Sequence, residues 1–101
     1  MDVYLSGQIS GLDFEVVKDL FQNAREHLES YGYGVVSPLD NGLPIESEWH
    51  DHMLADLRIL SECEAIAMLP NWEKSEGAKI ELAFAKKMQL KILILSPNVF
   101  R

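Results

Sequence analysis

Apolar residues occur in two patterns along the chain: short, nearly unbroken runs, and longer stretches with helical spacing. The short runs cover residues 3–5, 35–36, 65–69 and 90–95. They lack the alternation of a half-exposed strand. Continuous runs of this kind are typical of parallel strands buried on both faces. The pattern therefore predicts four β-strands.

Between these runs, apolar residues recur three and four positions apart, as in an amphipathic helix. The first helix is predicted to begin after Asp13, a good N-cap residue, and to be stopped by Gly32 and Gly34. A third helix follows Ser75, also an N-cap candidate, and runs to about Met88. The second helix between them is defined by Trp49, Met53, Leu57 and Leu60.

The alternation of strands and helices predicts an α/β fold. We expect a doubly wound, Rossmann-like or flavodoxin-like three-layer sandwich, with a parallel sheet of about four strands and helices on both faces. Right-handed crossovers favour the strand order 2-1-3-4. Ligands bind such sheets at the carboxyl ends of the strands, where the strand order reverses. The loops of residues 6–11 and 70–75 should therefore meet beside a crevice large enough for a nucleotide.

Composition and charge narrow the class of protein. The chain has 101 residues, which predicts one domain over residues 1–101. A net charge of −7 disfavours binding to nucleic acid or to an anionic membrane surface. The longest apolar run is too short to span a bilayer. A small sheet with two open edges predicts a homodimer or a higher homo-oligomer.

Cysteine and histidine usage bears on compartment and cofactors. A single cysteine, Cys63, allows no intrachain disulfide, and Met1 and Asp2 lead straight into the strand predicted from Val3, with no signal peptide expected, so we expect a cytoplasmic protein. Cys63 itself is expected to be a buried apolar residue rather than a nucleophile. His50 and His52 are two positions apart and do not share a helix face. We therefore predict neither a metal site nor a cofactor.

Glu81 is the most informative residue of the sequence. With Ala78 as the reference on the third helix, Leu82 and Ala85 lie within about 40° of it and Glu81 lies near 300°, inside the apolar arc. A carboxylate directed at the sheet is costly without partners. It is interpreted as a nucleophile or general base in the crevice. Alternatively, the side chain bends to the surface or pairs with a buried donor.

Asp56 lies at the edge of the apolar face of the second helix. It could be a second acid in the same crevice or a ligand for a sugar hydroxyl, or it could pair at the helix edge with Arg58 or a lysine. Two carboxylates in one cleft suit glycosidic chemistry, in which one attacks and one donates a proton.

Two residues between the third strand and the third helix each have two possible roles. Ser75 is interpreted as a helix N-cap, a role compatible with holding phosphate beside free backbone amides. Trp72 could stack on a base or cover the core.

Two segments resemble the nucleoside 2-deoxyribosyltransferase superfamily. Residues 3–11 read VYLSGQISG, similar to its opening signature, and residues 68–85 read MLPNWEKSEGAKIELAFA, similar to its second motif. Within that superfamily the chain is most similar to the short DUF4406 branch. The resemblance covers essentially the whole sequence.

The resemblance implies cleavage of the N-glycosidic bond of a (deoxy)nucleoside or its 5′-phosphate, by hydrolysis or by deoxyribosyl transfer. Glu81 matches the nucleophile, and Asp56 and Tyr4 match the residues that assist it. Ser75 matches the serine that helps to hold a 5′-phosphate. The residues expected to bind the substrate are Ser6, Gly7, Ile9, Gly11, Asn71, Trp72, Ser75, Gly77 and Ala78.

The sequence also departs from that pattern. Superfamily enzymes are longer and usually carry a further strand and helix, and the transferases complete a neighbour's site with C-terminal residues. A different class of function therefore stays open: a non-catalytic nucleotide-binding or interaction module with the same fold.

Overall fold

Residues 1–100 form one four-stranded sheet and three α-helices, as seen in a computed structural model. The structure describes residues 1–100, with side chains described for residues 1–98. The elements are β1 (Asp2–Ser6), α1 (Phe14–Glu29), β2 (Gly34–Val36), α2 (Trp49–Ser61), β3 (Ala65–Met68), α3 (Glu76–Lys87) and β4 (Lys91–Ile94). None of the helices within residues 1–100 combines the length and apolar character needed to cross a membrane.

The sheet is entirely parallel and has the order β2-β1-β3-β4, which confirms the predicted order. In the centre, Tyr4 pairs with Ile66, and Ser6 pairs with Met68. The chain runs outward from β1 to β2 and then crosses back to β3. The loops that follow β1 and β3 therefore begin side by side, at the point where a parallel sheet of this kind binds ligands.

Residues of β1 alternate between two apolar layers. Val3 and Leu5 pack in the layer formed with α1, whereas Tyr4 packs in the opposite layer with α2 and α3 residues such as Leu60 and Leu82. Successive side chains of a strand point to opposite faces, so one strand supplies both cores. The three-layer arrangement is thus confirmed.

The prediction that all strands are buried on both faces was wrong for the edges of the sheet. Every residue of β3 is buried, but β4 is only partly buried and the Ile94 side chain is 62% exposed. An edge strand has a neighbour on one side only, and here the helices cover it incompletely. Apolar sequence alone does not distinguish the two cases.

Both predicted N-caps are confirmed. Asp13 accepts a hydrogen bond from the backbone N–H of Glu15, and Ser75 Oγ accepts one from the N–H of Ala78, 3.1 Å away. The Ser75 cap sets the start of α3, and therefore the angular position of every side chain on it. That start places Glu81 toward the sheet.

Candidate active site

A cavity of about 570 Å³ opens at the carboxyl ends of the strands. Its wall is built by the loop after β1, the connection between β2 and α2, the inner face of α2 and the first turns of α3. The loop after β1 also meets the loop after β3 directly, because the N–H of Gln8 donates to Asn71 Oδ1 at 3.1 Å. The crevice therefore lies where the strand order predicts it.

Glu81 lies in the wall of this cavity and is only 4% exposed. Its Oε2 accepts a hydrogen bond from the Tyr4 hydroxyl at 2.6 Å, and its Oε1 accepts one from Ser6 Oγ at 2.7 Å. Tyr4 and Ser6 are two residues apart on β1, so both face the same side of the sheet. The carboxylate is thus both paired with buried donors and placed at the cavity, with its plane fixed by two contacts.

Burial raises the pKa of Glu81 from 4.5 to about 7. The hydrogen bonds from Tyr4 and Ser6 favour the ionised form and lower the pKa, while the negative charge of Asp56 raises it further. Burial, together with the charge of Glu81, also raises the pKa of Tyr4 well above its ordinary value. Tyr4 therefore remains a neutral hydrogen-bond donor near neutral pH, and Glu81 is available in both protonation states.

Asp56 lies in the same cavity wall and is 5% exposed. Its partner is the amide of Asn41, whose Nδ2 donates to Asp56 Oδ1 at 2.9 Å, and the predicted alternative of pairing with Arg58 is not seen. Burial raises the pKa of Asp56, although the Asn41 hydrogen bond and the charge that His52 carries when it is protonated lower it. Two shielded carboxyl groups on different helices therefore face one cavity.

The residues expected to bind the substrate fall into two groups. Those that line the cavity are Gly7, Ile9, Gly11, Ser75, Gly77 and Ala78. Of the others, Ser6 lies behind Glu81 as its hydrogen-bond donor, and Asn71 holds the backbone of the loop after β1. Trp72 packs against the core between the sheet and α3, outside the cavity wall.

Gly7 is required by the contact between the two central loops. A Cβ at this position would lie 2.9 Å from the Cβ of Leu69 and 3.1 Å from Asn71 Oδ1. The first distance is shorter than real Cβ contacts and the second is tight, so the backbone after β1 approaches the backbone after β3 this closely only without a side chain at position 7.

A family model described as "Domain of unknown function (DUF4406)" matches residues 1–94. The chain belongs to this family. No curated protein sequence matches the chain. Its fold is that of two solved structures, each below 25% identity.

The CMP N-glycosidase BcmB of Clostridium botulinum superposes with a TM-score of 0.64 and 21% identity, covering 93% of this chain and 70% of the glycosidase. A 2-desoxiribosyltransferase from Leishmania mexicana gives a TM-score of 0.68 and 19% identity, covering 94% of this chain and 63% of that enzyme. This DUF4406 member therefore has the nucleoside 2-deoxyribosyltransferase fold, and it spans less than two thirds of the Leishmania protein.

Two polar residues of this DUF4406 site were not predicted as site residues. Asn41 and His52 both line the cavity, and the amide Nδ2 of Asn41 lies 3.0 Å from His52 Nδ1. His52 precedes Asp56 by four positions on α2, a spacing that places two side chains on one helix face. That spacing was the signal available in the sequence. Nothing comparable marks Asn41, which lies in a loop.

The two histidines of α2 point in different directions. His50 is 70% exposed beside Asp51, with 3.2 Å between Nε2 and Oδ1, whereas His52 turns inward to Asn41. Within the part of the chain that the structure describes, no three His, Cys, Asp or Glu residues are grouped as metal ligands.

Proposed function

We propose that this protein cleaves the N-glycosidic bond of a (deoxy)nucleoside or its 5′-phosphate, with Glu81 as the nucleophile. One observation carries the proposal: a buried carboxylate, oriented by two hydroxyl donors, lies in the wall of a cavity that also holds a second buried acid. The activities of the two structural neighbours, an N-glycosidase and a desoxiribosyltransferase, support the same chemistry.

In the proposed reaction a Glu81 oxygen forms a bond to the anomeric carbon while the bond from that carbon to the base nitrogen breaks. Each carboxylate oxygen accepts one hydrogen bond from β1 and keeps a second lone pair for the attack. The base leaves with the electron pair of the broken bond and takes a proton from Asp56. Water or a second base then attacks the same carbon, gives up a proton to the Asp56 carboxylate and displaces the Glu81 carboxylate, which restores both acids.

The two roles require different protonation states of the two acids. Burial raises the pKa of Glu81 to about 7, against the hydrogen bonds from Tyr4 and Ser6 that lower it, so the ionised form that attacks is the major form only above about pH 7. Burial raises the pKa of Asp56, which favours the protonated form that can donate to the leaving base. A pair of carboxyl groups with separate roles is the usual arrangement for breaking a glycosidic bond.

The test is to incubate the protein with deoxynucleosides, ribonucleosides and their 5′-monophosphates, and to measure the free base by chromatography. We expect release by the wild-type protein, and loss of at least about 1,000-fold in Glu81→Gln, because that variant keeps the shape but not the nucleophile. Glu73→Gln, an exposed glutamate in the turn before α3, is the matched control. Adding a second base distinguishes transfer from hydrolysis.

Release that persists in Glu81→Gln would contradict the assignment of the nucleophile. Binding of a nucleoside or nucleotide by the wild-type protein without any release would contradict the enzymatic proposal and support a binding module.

A further inference from the structure

The side-chain amide of Asn41 makes three polar contacts at the edge of the cavity. Its Nδ2 lies 2.9 Å from Asp56 Oδ1 and 3.0 Å from His52 Nδ1. Its Oδ1 accepts a hydrogen bond from the backbone N–H of Leu43 at 3.0 Å. One loop residue therefore touches the second buried acid, a cavity histidine and the backbone of the cavity wall.

These partners fix which way the amide points. The backbone N–H of Leu43 can only donate, so it must face the amide oxygen, and the NH₂ group then faces Asp56. The same NH₂ group also faces His52 Nδ1, so this ring nitrogen must accept a hydrogen bond from it. His52 in this arrangement is therefore the neutral tautomer that carries its proton on Nε2.

The contact leaves the two oxygens of Asp56 in different positions. Oδ1 is held by Asn41. Oδ2 makes no hydrogen bond within residues 1–98, and it is not among the fully shielded atoms that lack a partner. Since Asp56 lines the cavity, Oδ2 is the oxygen that a bound molecule can reach.

We propose that Asn41 is a positioning residue: it anchors Oδ1 of Asp56 so that Oδ2 faces the substrate. This inference rests on the proposed function, in which Asp56 protonates the leaving base. Proton transfer requires the acid to lie within hydrogen-bond reach of the base nitrogen. An anchored carboxyl group keeps that geometry, whereas a free one rotates among several orientations.

The loop that carries Asn41 also forms part of the cavity wall. Gly42 has a φ of +86°, a left-handed conformation that glycine adopts readily. The resulting turn brings the N–H of Leu43 back to the Asn41 side chain. Leu43 and Ile45, farther along the same loop, line the cavity. A substitution at Asn41 could therefore act through the loop or through Asp56, and the experiment must separate the two.

Two variants make that separation. Asn41→Asp keeps the oxygen that accepts from Leu43, so the turn is retained, but it cannot donate to Asp56. Asn41→Ala loses both contacts. Asn23→Ala is the matched control, since Asn23 is exposed on α1. We expect kcat for base release to fall about 10- to 100-fold in both Asn41 variants with KM changed less than about threefold, as for a misplaced catalytic group.

A second readout does not depend on activity. The carboxyl carbon of Asp56 is followed by NMR during a pH titration of the full chain. Removal of the Asn41 hydrogen bond is expected to move the Asp56 midpoint to higher pH in Asn41→Ala, and a second carboxylate beside it should do so in Asn41→Asp. Thermal unfolding of each variant establishes that it is folded.

The outcomes are distinct. Reduced kcat and a raised Asp56 midpoint in both variants support the positioning role. Wild-type behaviour of Asn41→Asp, with only Asn41→Ala affected, would mean that Asn41 merely holds the loop and would overturn it. If the wild-type protein releases no base, the proposed function fails, yet an Asp56 midpoint raised in both variants still supports the anchor and an unmoved midpoint overturns it.

Discussion

Replacing Glu81 by glutamine should make the protein more stable at neutral and alkaline pH while it abolishes activity. Glutamine has the shape of glutamate and can still accept a hydrogen bond from Tyr4, but it carries no charge. The wild-type chain must keep a carboxylate that is 4% exposed ionised for the proposed attack. Groups placed for chemistry commonly reduce stability in this way.

The magnitude follows from the raised pKa. Glu81 has a pKa of about 7 in the folded protein against an ordinary value of 4.5. Between these two values the folded state binds more protons than the unfolded chain, so the free energy of unfolding falls as the pH rises. Each pH unit of the interval corresponds to about 1.4 kcal/mol. The free energy of unfolding of the wild-type protein therefore falls by about 3 kcal/mol between pH 4.5 and 7, and this loss stays constant at higher pH.

The assay is urea unfolding followed by tryptophan fluorescence at a series of pH values from 4 to about 8.5. We expect the difference in unfolding free energy, Glu81→Gln minus wild type, to grow by about 3 kcal/mol across that interval. Glu73→Gln, which removes an exposed charge, controls for the change in net charge. A difference that stays flat from pH 4 to 8.5 would show that the Glu81 carboxyl group is not buried in the way described.

Three further substitutions test the structure around the site. Ser6→Ala removes one of the two donors that favour the ionised form of Glu81, so the acidic limb of the pH–rate profile should move about one unit to higher pH; an unmoved limb would contradict the contact. Gly7→Ala places a Cβ 2.9 Å from Leu69 Cβ and should cost about 1–3 kcal/mol in urea unfolding, whereas wild-type stability would refute the close approach. Ser75→Ala removes the α3 N-cap and should cost about 1 kcal/mol by the same measurement; no loss would mean that the cap contributes nothing.

The strands and helices were predictable because each has a local period. Runs without alternation marked the strands, three- and four-residue spacing marked the helices, and Asp13 and Ser75 marked two helix starts. The chirality of parallel crossovers then left few strand orders, and the observed order is the predicted one. Local rules failed at Ile94, which is apolar and yet 62% exposed, since sequence does not tell an edge strand from a central one.

The candidate site was also only partly predictable from the sequence. Helical geometry alone directed Glu81 toward the sheet, because the direction of a side chain on a helix depends only on its position in that helix. Which atoms bind the Glu81 carboxylate depends on the register between α3 and β1. Only the fold shows that Ser6, expected to bind the substrate, donates a hydrogen bond to Glu81 Oε1.

The contact between Asn41 and Asp56 depends still more on tertiary structure. It joins a loop without periodicity to a helix whose start lies eight residues farther along the chain. The path of such a loop follows from packing across the whole domain rather than from its neighbours in sequence. The sequence by itself thus determined the elements, their order and the inward acid on α3. The tertiary structure alone decided the partners of that acid and the anchor of the second one.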